Sequence, residues 1–297
     1  MIRWRRVALF LALTYGICFV LAAAYALLGL QGYGIAGFTA LGTLYMIVPA
    51  AVSITLMKLK WKEQLREYGF RLRRSWAWLP AWVVPVVLLA LTIALAALLG
   101  VGEIGFSRDA MVAGLGDIGP ELAEEARAQL DAMGSLWPLV LFLQALVAGT
   151  TINAIFAFGE EMGWRGFLQR ELAPLGFWKA SALIGAIWGF WHAPLTLMGH
   201  NFPETPLLGV PMITLACVPL GILISWVRVR TGSVFAAAIF HGMFNAFAGY
   251  SMLAIAGVPN IIRSGLGLMG FLAAAILTGA LYLRARMSPG AVAEASP

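Results

Sequence analysis

Residues 136–165 read LWPLVLFLQALVAGTTINAIFAFGEEMGWR, and the change of character inside this stretch decides the fold. No side chain from 136 to 158 is charged, and the run is long enough to cross the roughly 30 Å hydrocarbon core of a bilayer as an α-helix. It ends on Glu160, Glu161 and Arg165. Helices on the surface of a soluble protein carry a polar face, and this one has none. Seven further apolar stretches lie at about 7–30, 35–57, 77–100, 180–199, 211–227, 233–257 and 266–283. The whole chain is 61% hydrophobic and 11% charged, with mean hydropathy +0.86, outside the range of soluble domains. An all-α, polytopic transmembrane helical bundle of about eight spans is therefore expected.

Charge sets its orientation. With Arg3, Arg5 and Arg6 on the cytoplasmic side, 17 basic residues fall inside and only Arg108, Arg127 and Arg263 outside, as the positive-inside tendency requires. Both termini are thus expected in the cytoplasm, at the cell membrane. The net charge of +6 reflects these basic connections, not a nucleic-acid partner. Residues 1–134 read as N-terminal helices with a basic inner connection and an acidic outer one, 135–287 as the catalytic core, and 288–297 as a disordered tail. Within the basic connection, Trp61, Leu65, Tyr68 and Leu72 at helical spacing suggest an amphipathic helix on anionic lipid, with a solvated loop as the alternative. Pro120, followed by Glu121, Glu124 and Glu125, opens a short helix in the acidic connection. The run from Val7 to Leu30 is too long for the apolar part of a signal peptide and reads as an uncleaved helix. Cys18 and Cys217 sit in apolar runs without metal or redox spacing and read as packing residues.

Ionisable groups held in or near hydrocarbon cost roughly 2.5 to 3.5 kcal/mol each on insertion scales, so each is a candidate for function. Glu161 and Arg165, four apart, share a helix face and can pair, which turns Glu160 about 100° away and frees it. His192 follows Trp188 by four residues and precedes Pro194, which cannot donate to the Phe190 carbonyl and so kinks the helix there. His241 and Asn245 project from one face of a later helix. His200 falls at the outer boundary and reads as a loop residue without chemistry. Trp164, Trp188 and Trp191 are cavity lining or plain packing.

At these positions the chain resembles the CAAX-prenyl-protease and bacteriocin-processing (CPBP, or Abi) family of intramembrane endopeptidases. Glu160, Glu161 and Arg165 match its first motif. Trp188 and His192 match the second, with tryptophan for the usual phenylalanine, and His241 and Asn245 match the third. Thr231-Gly232-Ser233 and Arg165-Gly166-Phe167-Leu168 look similar as well. The resemblance covers roughly 145–250 and nothing in the first 130 residues beyond hydrophobic helices. It implies hydrolysis of a peptide bond near the cytoplasmic side, in a membrane-associated protein or peptide. Glu160 would be the general base, His192 would polarise the water or pass the proton on, and His241 and Asn245 would face the oxyanion. Glu161, Arg165 and Trp188 would support them. A metal-dependent version would place Zn²⁺ on Glu160, His192 and His241, while the preferred version needs no cofactor. A membrane transporter and a non-catalytic scaffold or immunity protein remain the alternatives.

Overall fold

The computed structural model describes residues 1–30, 34–72, 76–105, 108–109, 112 and 120–287. Ten α-helices of ten residues or more occur among them: α1 Trp4–Leu27, α2 Gly34–Thr55, α3 Pro80–Leu98, α4 Pro120–Ala132, α5 Trp137–Thr150, α6 Ile152–Glu161, α7 Phe177–Trp191, α8 Pro206–Thr231, α9 Val234–Ala254 and α10 Leu268–Met287. A two-residue antiparallel pairing, β1 Glu103–Ile104 with β2 Ile255–Ala256, is too small to change the all-α class. The expected tail 288–297 lies outside the described residues.

Six helical segments are long and apolar enough to cross a membrane: Trp4–Leu27, Ala36–Lys60, Trp76–Leu98, Gly134–Leu175, Pro206–Thr231 and Asn260–Met287. The chain is a multi-pass membrane protein. Two of the eight expected spans fall short of those criteria, each for a physical reason. Helix α7 has only 15 residues, because Pro194 cannot continue the ladder. His192 N–H bonds back to Gly189 O, and a separate turn, Ala193–Leu197, follows. Helix α9 has 21 residues, but His241 and Asn245 dilute its apolarity.

The apolar side chains of the outer faces point where lipid would lie. Leu13, Ile17 and Val20 on α1, and Leu139, Leu143 and Val147 on α5 and its flank, recur at helical spacing and are exposed. Inside, the main apolar cluster extends from Val7 on α1 to Ala274 on α10, so both halves of the chain share it, with three smaller clusters beside it among the described residues. Close helix approach depends on small residues. A Cβ at Gly159 would lie 2.5 Å from Met46 O, which is how α6 reaches α2. One at Gly242 would lie 2.5 Å from Ala154 N, which is how α9 reaches α6.

The basic connection departs from expectation. Instead of one amphipathic helix it forms a wide turn at Leu56–Lys60, an irregular stretch with left-handed Lys62 and a 3₁₀ turn at Leu65–Tyr68, closed by left-handed Gly69. Two of its aromatic groups face protein: Trp61 stacks on Phe167 at 5.4 Å, and Tyr68 is fully buried. In contrast, the short helix expected after Pro120 is present as α4.

Candidate functional site

Helix α6 ends at Glu161, and the next residues, Met162–Leu168, widen into a π-turn whose seven residues are all buried. Such local widening re-aims side chains and recurs at functional sites. Glu160 is 2% exposed, and its Oε2 accepts the Trp188 Nε1–H at 2.6 Å. Glu161, fully buried, uses one oxygen twice: Oε1 accepts from Arg165 Nη1 at 2.8 Å and lies 2.9 Å from His241 Nδ1. The Arg165 guanidinium also sits 4.6 Å from the centre of the Trp188 ring, a cation–π contact that braces the indole holding Glu160. The carboxylates are thus differentiated. Glu161 is locked by two partners, whereas Glu160 has one oxygen held by an indole.

The histidines are oriented through their Nδ1 atoms. His192 Nδ1 donates to Trp188 O at 2.9 Å, and His241 Nδ1 faces a carboxylate, which only accepts. The Nε2 of each neutral ring is therefore an acceptor. This qualifies the expectation that His241 faces the oxyanion as a donor: a neutral ring held this way turns its Nε2 lone pair to the cavity. The Trp188 ring stands edge-on to both imidazoles, with centroids 5.7 Å from His192 and 5.1 Å from His241. Asn245, one turn beyond His241, is exposed toward the same space.

That space is a cavity of about 790 Å³ on whose wall Glu160, Trp188, His192, His241 and Asn245 all lie. Its direction was not expected. Beneath Glu160 the way is blocked: Trp164, Arg165 and Phe167 are fully buried, with Phe10 and Trp61 packed on Phe167. From Glu160 the lining runs the other way, along Thr43 and Thr39 of α2, Gly249 and Met252 of α9, and the connections Gly199–Pro203 and Asn260–Leu266. Basic Arg3 and Arg6 lie with Glu63 and Glu171 at the closed end, and the cavity reaches the end where α1 finishes and α2 begins. The cause is packing: Gly159 and Gly163 draw α6 onto α2 at Met46 and Pro49, sealing the lower half.

Two features were missed in the sequence. Asn153, seven residues before Glu160 and so on nearly the same face of α6, lines the cavity and bonds Gly242 O at 3.5 Å. Its helical register with Glu160 was the available signal. Helix α2 supplies one wall, although no motif marks it. Trp164 does not line the cavity; it packs edge-on against Phe10 and Trp191. His200 lies on a connection, as expected, yet at the cavity's far end, 5.7 Å from the Phe38 ring. The two cysteines are free and buried.

A tetrahedral metal site needs three or four donors converging on one point about 2.0 to 2.3 Å away. Among the described residues no three His, Cys, Asp or Glu side chains are grouped so as to hold a metal ion, and Glu160, His192 and His241 are included in that statement.

Comparison with known proteins falls on this region. The family model described as Type II CAAX prenyl endopeptidase Rce1-like matches residues 135–247, which hold every site residue named above. A CAAX prenyl protease 2 from Methanococcus maripaludis is 33% identical over 125 residues, 40% of this chain and 44% of that protein. The chain thus aligns with less than half the length of this curated relative.

Proposed function

We propose that this chain, whose residues 135–247 belong to the Rce1-like type II CAAX prenyl endopeptidase family, is an intramembrane endopeptidase acting through water activated by Glu160. The observation that carries the reading is a buried carboxyl group, steadied by the Trp188 indole, in one cavity wall with two imidazoles and a carboxamide. On this reading α7 and α9 add two crossings to the six, and the basic excess supports a cytoplasmic position for both termini.

The reaction is hydrolysis. Water bound between Glu160 and His192 loses a proton to the carboxylate as its oxygen attacks the peptide carbonyl carbon, and the C=O electrons move onto oxygen. Asn245 Nδ2–H donates to that oxyanion, with the His241 ring, oriented by Glu161, beside it, in a water-poor site where such bonds count most. Glu160, or His192 in relay, returns the proton to the amide nitrogen. The C–N bond breaks, leaving a carboxylate and an amine. No step requires a metal. Arg165 and Trp188 act as positioning residues.

A membrane-anchored reporter peptide, incubated with the purified chain in lipid discs, tests this. Wild-type protein yields product, Glu160→Gln and His241→Ala yield at least 100-fold less, and a zinc chelator leaves the rate unchanged. Equal cleavage by wild type and Glu160→Gln refutes the base assignment. Cleavage by neither leaves a transporter or scaffold as the better reading.

A further inference from the structure

Helix α7 stops at Trp191, and His192 belongs neither to it nor to the turn Ala193–Leu197 that follows. The carbonyls of a helix's last turn run out of donors from its own ladder. Three groups stand in for them here. His192 Nδ1–H takes Trp188 O at 2.9 Å, His192 N–H takes Gly189 O at 3.2 Å, and the Tyr45 hydroxyl of α2 donates to Trp191 O at 2.8 Å. Tyr45 and Trp191 are both buried, with ring centroids 4.5 Å apart, and the Trp191 indole stands edge-on to the His192 imidazole at 4.9 Å.

We propose that Tyr45, which lies outside the 135–247 segment matched by the family model, is a positioning residue for His192, its hydroxyl fixing the peptide unit from which the imidazole is aimed into the cavity. The Trp191 carbonyl and the His192 N–H are the two ends of one planar peptide group. Tyr45 holds one end and Gly189 O the other, so the plane that carries the His192 Cα is set from both sides. A second tyrosine supplies the contrast. Tyr15 of α1 donates to Ile187 O at 2.5 Å, one turn earlier, where the ladder already gives that carbonyl the Trp191 N–H. The Tyr15 hydroxyl is an addition to a satisfied acceptor, whereas the Tyr45 hydroxyl replaces a missing donor. Its effect on catalysis rests on the peptidase reading, while its hold on the His192 ring does not.

Tyr45→Phe and Tyr15→Phe each keep a buried ring and delete one hydroxyl from a bond to α7. In lipid discs with the anchored reporter, Tyr45→Phe is expected to lower kcat about tenfold with KM nearly unchanged, because a misaimed His192 impairs the chemical step, and Tyr15→Phe to leave kcat within about twofold of wild type. A Tyr45→Phe protein whose thermal midpoint falls while its kcat stays with that of Tyr15→Phe overturns the proposal. The second arm needs no activity. The chain has three histidines, so ¹⁵N-histidine spectra are simple, and His192→Asn identifies the ring signals of His192 by their loss. Tyr45→Phe is expected to move those signals and spare the His200 ring, whereas Tyr15→Phe moves neither; His192 signals that do not respond to Tyr45→Phe overturn the proposal. Where wild type cleaves nothing but the His192 signals still respond, the peptidase reading fails and the positioning role stands.

Discussion

The two ends of the bundle handle buried charge in opposite ways. At the basic end each of three carboxylates is held by a cation or an imidazole. Glu171 accepts from Arg3, Glu63 accepts from Arg3, Arg6 and Tyr68, and Glu161 is locked between Arg165 and His241. Around the cavity the polar groups are under-committed: Asn245 faces open space, both histidines keep Nε2 unspent, and Glu160 has a single indole donor. Paired charge closes and orients; under-committed polarity is available to a substrate. The lesson is that a membrane protein can hold two adjacent glutamates for unrelated purposes, and that register decides which is which.

That contrast can be broken from either end. The largest stability effect is expected for Arg165→Met, which deprives buried Glu161 of its guanidinium and Trp188 of its cation: about 3 to 5 kcal/mol, seen as a lower thermal midpoint in detergent. Trp188→Phe keeps an aromatic ring beside the imidazoles but deletes the donor to Glu160. A hydrogen bond to a charged group is worth about 1.5 to 3 kcal/mol, so kcat/KM should drop roughly 10- to 100-fold with the midpoint nearly unchanged. Gly159→Ala pushes a methyl group against Met46 O and should cost about 1 to 3 kcal/mol, since overpacking parts the seam between α6 and α2.

The smallest effect is a pH dependence at the sealed end. Burial alone would push the Glu63 carboxyl up, but hydrogen bonds from Tyr68, Arg6 and Arg3 outweigh it and hold the group below the ordinary carboxylate range. A group depressed in the folded state stabilises fully above its unfolded value and loses that contribution as pH falls through the folded one. Thermal midpoints measured from pH 6 downward should therefore fall more steeply for wild type than for Glu63→Gln. Identical slopes would mean the cluster contributes no linkage. The same cluster, with burial as its first cause and the Glu63 bond as its second, pushes the Tyr68 hydroxyl up to about 12.

Much of this was legible in the sequence, because lipid imposes strong rules. Hydropathy exposed the helices, and the spacing of Glu160, Glu161 and Arg165 foretold the 2.8 Å pair that the coordinates contain. Pro194 announced the end of α7 near His192. What stayed hidden depends on three-dimensional approach. Which end of the cavity is sealed follows from Gly159 and Gly163 letting α2 close in, and a lone glycine in an apolar run does not say which helix it will meet. The aromatic spacing from Trp61 to Leu72 imitated a lipid-bound helix because stacking on Phe167 and contact with lipid ask for the same residues. His241 read as a free donor because its partner, Glu161, lies 80 residues earlier in the chain.

One measurement bears on the central claim most directly. Wild-type and Glu160→Gln proteins, matched for thermal midpoint, are given the anchored reporter in ¹⁸O-labelled water, and the new carboxyl terminus is weighed by mass spectrometry. The expected result is a wild-type product carrying one ¹⁸O at that terminus and essentially no product from Glu160→Gln. Undiminished labelled product from the glutamine variant would contradict the account.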